Sequence, residues 1–174
     1  TADLGIWQSI VPSSIWELTE NDDVFEGANR KARFHAAYKG YKFWCKQNKI
    51  VSRIRRRWNP DSWKKDAQSY PHITQNVAKA SSLRSMIYWM CEICLGCAER
   101  HGEHGVLRAA MYHQFVVGDE ICRRARRHLT PDEHTRLASA TENALQAYHA
   151  LSVKCELADL FLYAEIPKAH AMTH

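Results

Sequence analysis

Apolar side chains recur at three- and four-residue intervals through several long stretches of this chain, and no segment of convincing length alternates apolar with polar. A period near 3.6 buries one face only as an α-helix, so the pattern restricts the chain to an all-α architecture. With 174 residues, 45% of them hydrophobic, the chain is long enough to close one sizeable core. The expectation is a single-domain helical bundle of about five helices, the last one long.

Local signals place those helices. Residues 1–23 hold Asp3, Glu17, Glu20, Asp22 and Asp23, no Lys or Arg, and the run Pro12-Ser13-Ser14. They read as an irregular acidic lead-in with a short helix near Ile15, ahead of a helical domain over 24–174. Asn21, Asp22 and Asp23 offer N-caps for a helix over 25–58, with Phe34, Ala37, Tyr38, Tyr41, Cys45, Val51, Ile54 and Trp58 as its buried face and Gly40 as a place for a kink. Asn59-Pro60-Asp61 opens a short helix that Pro71 ends. Further helices follow over 74–100, with Leu83, Ile87, Met90, Cys94 and Cys97 inward, and over 106–128. Thr130-Pro131-Asp132-Glu133 is a capping box with proline in the first turn, the clearest start signal in the chain. The helix it opens keeps register through Leu162 until Pro167, about 35 residues.

The formal net charge of +5 is unevenly spread: residues 1–23 sum to −5, residues 24–65 to +11 and residues 66–174 to −1. Within the basic block Lys39, Lys42, Lys46, Lys49, Arg53 and Arg56 follow one another at intervals of 3, 4, 3, 4 and 3. On a continuous helix they form one stripe about 25 Å long. Like charges so aligned repel, which calls for an anionic counterpart: phosphates, an acidic protein surface, or the chain's own residues 1–23 folded across the stripe. The bland reading is a solvated helix face. Arg57, Lys64 and Lys65 extend the candidate nucleic-acid surface. Trp44, Trp58 and Trp63 lie among the cations, where a tryptophan can stack on bases, although Trp44 and Trp58 read better as core. A second basic group, Arg123 to His128, reads as a helix end favoured by the helix dipole.

The run Cys91-x2-Cys94-x2-Cys97-x3-His101-x2-His104 has ligand-like spacing. Its rise of about 15 Å from Cys94 to His104 prevents one helix from wrapping all of it around one ion. Cys94, Cys97 and His101, completed from a neighbouring helix, are the candidate zinc ligands. The competing reading is that these thiols pack as small core hydrophobes. An iron–sulfur site lacks its fourth cysteine and following proline.

There is no glycine-rich phosphate loop, nucleophile elbow or His-Glu-x-x-His, so no enzyme class is indicated. No run of about 20 apolar residues is present to span a bilayer, and no basic-then-apolar secretory leader opens the chain. The crowding of the cysteines in an apolar helix fits a reducing, intracellular compartment. The reading is therefore a helical nucleic-acid-binding or nucleoprotein-associated domain. The alternatives are an adaptor docking on an acidic protein partner and a metal-binding domain using the Cys/His cluster.

Overall fold

The computed structural model describes residues 2–74, 76–125 and 128–164. Six α-helices, α1 (Ala2–Leu18), α2 (Arg30–Gln47), α3 (Pro60–Trp63), α4 (Ala80–Cys97), α5 (Gly102–Arg124) and α6 (Pro131–Leu157), pack around one core, and the described residues contain no strand. The all-α bundle with a long last helix is what the periodicity dictates. Helices α4, α5 and α6 pack as consecutive neighbours, α1 and α2 lie on α4, and a single 3-10 turn, Glu99–His101, links α4 to α5.

The acidic lead-in is not irregular. Helix α1 buries Ile6, Trp7, Ile10, Val11, Ile15 and Leu18 at helical spacing, which makes it part of the core. Pro12 sits inside it and leaves the carbonyl of Gln8 without its helical donor. The backbone N–H of Ile73 supplies the missing bond at 3.0 Å, so a tertiary contact stands in for the lost turn. Ser13 and Ser14 are buried rather than loop residues, and their hydroxyls bond the backbone N–H and the hydroxyl of Tyr163, each at 3.1 Å.

Helix α2 starts later and ends earlier than its apolar pattern suggests. Asn29 caps it, accepting from the Ala32 N–H at 2.9 Å. At its other end Ile50 N–H bonds Cys45 O at 2.8 Å and Lys49 N–H bonds Lys46 O at 3.3 Å, while Lys49 adopts φ +54°. This is a Schellman stop with lysine in the left-handed position usually held by glycine. The chain then doubles back: Tyr38 Oη donates to Arg55 O at 2.6 Å, and Trp58 packs on the rings of Tyr38 and Tyr41, both at 5.5 Å. Ile54 and Trp58 thus reach the core from an irregular segment, and Val51, expected inside, is 85% exposed.

Helix α6 begins at its capping box as expected, with Thr130 Oγ1 accepting from Glu133 N–H at 3.2 Å and Glu133 Oε2 accepting from Thr130 N–H at 2.8 Å. It stops at Leu157 by the same device as α2, Leu160 N–H bonding Cys155 O at 2.8 Å with Asp159 at φ +53°. Leu162 is buried by the turn that follows, not by helical register. Between α4 and α5, Gly105 is required by close approach, since a Cβ there would lie 2.4 Å from Ala98 O.

Candidate functional site

The thirteen cations of the basic block separate into two groups. Arg30 and Arg33 are spent internally: Arg30 pairs with Glu20 and lies over the Trp16 ring, and Arg33 donates to Thr19 O, Gly27 O and Glu20 O, covering the end of α1. Lys64 is also drawn inward, donating to Phe161 O at 3.3 Å and facing Trp16. By contrast Lys39, Lys42, Lys46, Lys49, Arg53, Arg55, Arg56 and Arg57 are all exposed, as are Lys31 and Lys65. Among the described residues none of these is in an ion pair with a carboxylate.

These cations do not form one 25 Å stripe. Because α2 ends at Gln47, only Lys39, Lys42 and Lys46 share a helix face, spanning about 10 Å. Lys49, Arg53, Arg56 and Arg57 lie on the turn and the returning segment, which bring them back beside α2. His35, on α2, registers the result. Its proton affinity is lowered by partial burial first and then by Arg57, Lys39 and Lys42, residues from both sides of the fold-back. The surface is thus shorter, wider and denser in charge than a helical stripe.

Three acids of residues 1–23 are turned to other partners. Glu17, Glu20 and Asp23 are engaged with Arg108, Arg30 and His101 respectively. Trp58 and Trp63 are core residues whose rings lie 5.1 Å apart, and Trp44 is half-buried, so none of the three is the exposed stacking platform their position suggested. The exposed aromatic among these cations is one that apolar periodicity does not single out: Phe43, 64% exposed, between Lys39 and Lys46 on α2. Of the second basic group, Arg123 and Arg124 form the last turn of α5, His128 is exposed, and Arg126 and Arg127 lie outside the described residues.

The Cys/His run occupies a different environment. Cys91, Cys94 and Cys97 are buried, and burial pushes the thiols of Cys91 and Cys94 up, which disfavours the thiolate a metal needs. The two ring nitrogens of His101 face other partners: Nε2 lies 2.5 Å from Asp23 Oδ2 and Nδ1 lies 2.6 Å from Arg108 Nη2. Arg108 Nη2 is also 3.9 Å from Cys97 Sγ, so a guanidinium sits where Cys97 and His101 would share an ion. Among the described residues Cys94, Cys97 and His101 do not converge as a ligand set.

What that run does instead is frame a buried ionic cluster. Arg108 is 1% exposed and donates from Nη1 to Glu17 Oε2 at 2.6 Å. Tyr163 Oη donates to the same oxygen at 2.7 Å. His104 Nε2 lies 2.5 Å from Glu17 Oε1. Burial works to raise the Glu17 carboxyl, and His104, Arg108 and Tyr163 together outweigh it, holding it at about 2. The carboxylate is thus fixed in its charged form and tied on several sides, which suits a structural tie between α1, α5 and the turn after α6. A separate cleft of about 420 Å³ is lined by Ile6, Trp7, Phe115, Leu137 and Leu145, with Arg84 beside it, paired with Asp119 at 2.9 Å.

Compared with known proteins, the chain matches no protein-family profile, no curated protein and no solved structure. No helix among the described residues is long and apolar enough to cross a membrane.

Proposed function

We propose that the protein binds the phosphate backbone of a nucleic acid through the surface built by α2 and the segment that returns along it. The observation that carries this reading is the eight exposed cations Lys39, Lys42, Lys46, Lys49, Arg53, Arg55, Arg56 and Arg57, gathered on one fold-back without carboxylate partners among the described residues. Like charges crowded in this way repel one another, and a polyanion relieves the repulsion while releasing its own counterions. An acidic protein surface would also meet the charge, but a phosphate backbone matches a patch with no interleaved acids more evenly. The crowding of Cys91, Cys94 and Cys97 on the inward side of one apolar helix supports action in a reducing, intracellular compartment.

The test is a titration of the chain against a labelled oligonucleotide at 50 and 200 mM salt, for wild type and for Lys42→Glu/Lys46→Glu/Lys49→Glu. If about five phosphates are neutralised, affinity falls about 500-fold over that salt range for a duplex and about 130-fold for a single strand. The variant should bind at least 100-fold more weakly at 50 mM salt and with a shallower salt slope. Wild-type protein that fails to bind at 50 mM salt, or binds with no salt dependence, overturns the reading.

A further inference from the structure

We infer that the nucleic acid recognised is single-stranded, with an unpaired base stacked on Phe43; this rests on the phosphate-binding reading above. On α2 the buried residues Phe34, Ala37, Tyr38, Tyr41 and Cys45 define the inward face. At about 100° per residue, Phe43 projects almost diametrically away from them, so the core of this molecule cannot account for it. The residue is 64% exposed, and its ring makes no ring–ring contact and no cation–π contact within the described structure.

Its surroundings specify the ligand. Lys39 and Lys46, four residues before and three after, stand on the same side of the helix within about 60° of it. Lys42 lies on their other flank, its Nζ 5.3 Å from the Tyr38 ring, toward the returning segment whose Arg55 O that tyrosine bonds. Going round the helix, the order is therefore Lys42, then Lys46 and Lys39, then Phe43: cations first, an open π-face at the edge. That is the cross-section of a single strand, whose phosphates run along one side and whose bases turn to the other. A duplex keeps its base faces stacked inside and offers this ring only phosphates and groove edges, against which an exposed phenyl gains little.

The experiment compares four probes of equal length, oligo-dT, oligo-rU, a DNA duplex and an RNA duplex, against wild type, Phe43→Ala, Phe43→Trp and Lys42→Glu/Lys46→Glu. Wild type should bind the single strands more tightly than the duplexes. Phe43→Ala should weaken single-strand binding by about 5- to 100-fold, leaving duplex affinity and the salt slope unchanged. Phe43→Trp should retain or strengthen single-strand binding. The dT and rU arms distinguish DNA from RNA. Phe43 is on the outer face, so its replacement should leave the melting temperature in place, and that measurement accompanies the titration. If Phe43→Ala binds every probe like wild type, or weakens all four equally, while Lys42→Glu/Lys46→Glu still abolishes binding, the stacking inference falls and phosphate binding stands. If no probe binds wild type at 50 mM salt, both fall.

Discussion

The α2 surface and the Glu17–Arg108 cluster use the same charged groups in opposite surroundings. On α2 and its returning segment the eight exposed cations face water and, among the described residues, none is in an ion pair with a carboxylate, so each costs little to keep charged and their fields add outward. In the cluster one cation, Arg108, is shut in with a carboxylate, two imidazoles and a phenol, and its field is consumed locally. The difference teaches where charge serves recognition and where it serves the fold. Removing a surface cation should change what the protein binds and hardly change its stability. Removing a cluster member should do the reverse.

The largest effect that could break this contrast is on Arg108. Arg108→Met leaves the carboxylate of Glu17 in partial burial without its cation, which should cost about 3–5 kcal/mol and lower the melting temperature by on the order of 10 °C. Adding Glu17→Gln to that variant should recover part of the loss, because the stranded charge is then gone. Loss of less than about 1 kcal/mol in Arg108→Met would show that the cluster is not the tie described. Next in size is the response to acid. The folded Glu17 carboxyl, at about 2, lies below its ordinary 4.5, so its stabilisation is complete above about pH 4.5 and is lost as pH falls toward 2. The loss amounts to about 3 kcal/mol at most. Thermal melts of wild type and Glu17→Gln between pH 6 and pH 2.5 should therefore converge as pH drops. A gap that stays constant would exclude Glu17 as the titrating group.

How far the sequence discloses this contrast follows from which signals are local. The helical class is legible because apolar periodicity is repeated over long stretches, and the start of α6 is legible because Thr130, Pro131 and Glu133 act within one turn. Both unforeseen helix ends depend on a left-handed residue that is not glycine, Lys49 in one case and Asp159 in the other. Neither carries the composition that usually marks a stop. The apolar residues beyond each end then continue the apparent register because the returning chain also reaches the core. Helix α1 was legible in principle, with apolar residues at 6, 7, 10, 11, 15 and 18, but Pro12 argued against it and the Ile73 donor that compensates is 61 residues away. The same holds for the sites. The cations could be read as a group from the sequence, but their arrangement could not, since the fold-back decides it. Glu17, Arg108 and Tyr163 lie on separate elements and meet only in the folded chain. Phe43 was visible only as a missing member of the buried periodic set, a signal overshadowed by the neighbouring tryptophans.

The Lys49 stop offers a way to sharpen the comparison, since it lies at the join between stability and charge. Lys49→Gly relieves a left-handed L-residue, a gain of up to about 1 kcal/mol after glycine's greater chain entropy is allowed for. It should raise the melting temperature by about 2–4 °C. The same change removes one exposed cation, so oligonucleotide affinity should fall modestly and the salt slope should flatten by about one contact. Opposite movements of stability and binding in one variant would separate the two roles at a single residue. A melting temperature that falls would mean Lys49 has a structural partner in solution.

The smallest expected effect is also the most discriminating for the surface. Lys42→Glu/Lys46→Glu should leave the melting temperature within about 2 °C of wild type at moderate salt, in the range usual for exposed substitutions. Two contributions oppose each other there: relief of repulsion from Lys39 and Arg57 favours the variant, and loss of the Lys42 contact with the Tyr38 ring, 5.3 Å away, disfavours it. Salt separates them. Because repulsion between exposed cations is screened within about 10 Å at 0.1 M, wild type should gain stability as salt rises from 20 to 500 mM, and the variant should gain less. Melts of both proteins at those two concentrations are sufficient. A variant that melts more than about 5 °C below wild type at both concentrations would place these lysines in the fold's own framework, as Arg108 is, and the distinction between the two regions would collapse.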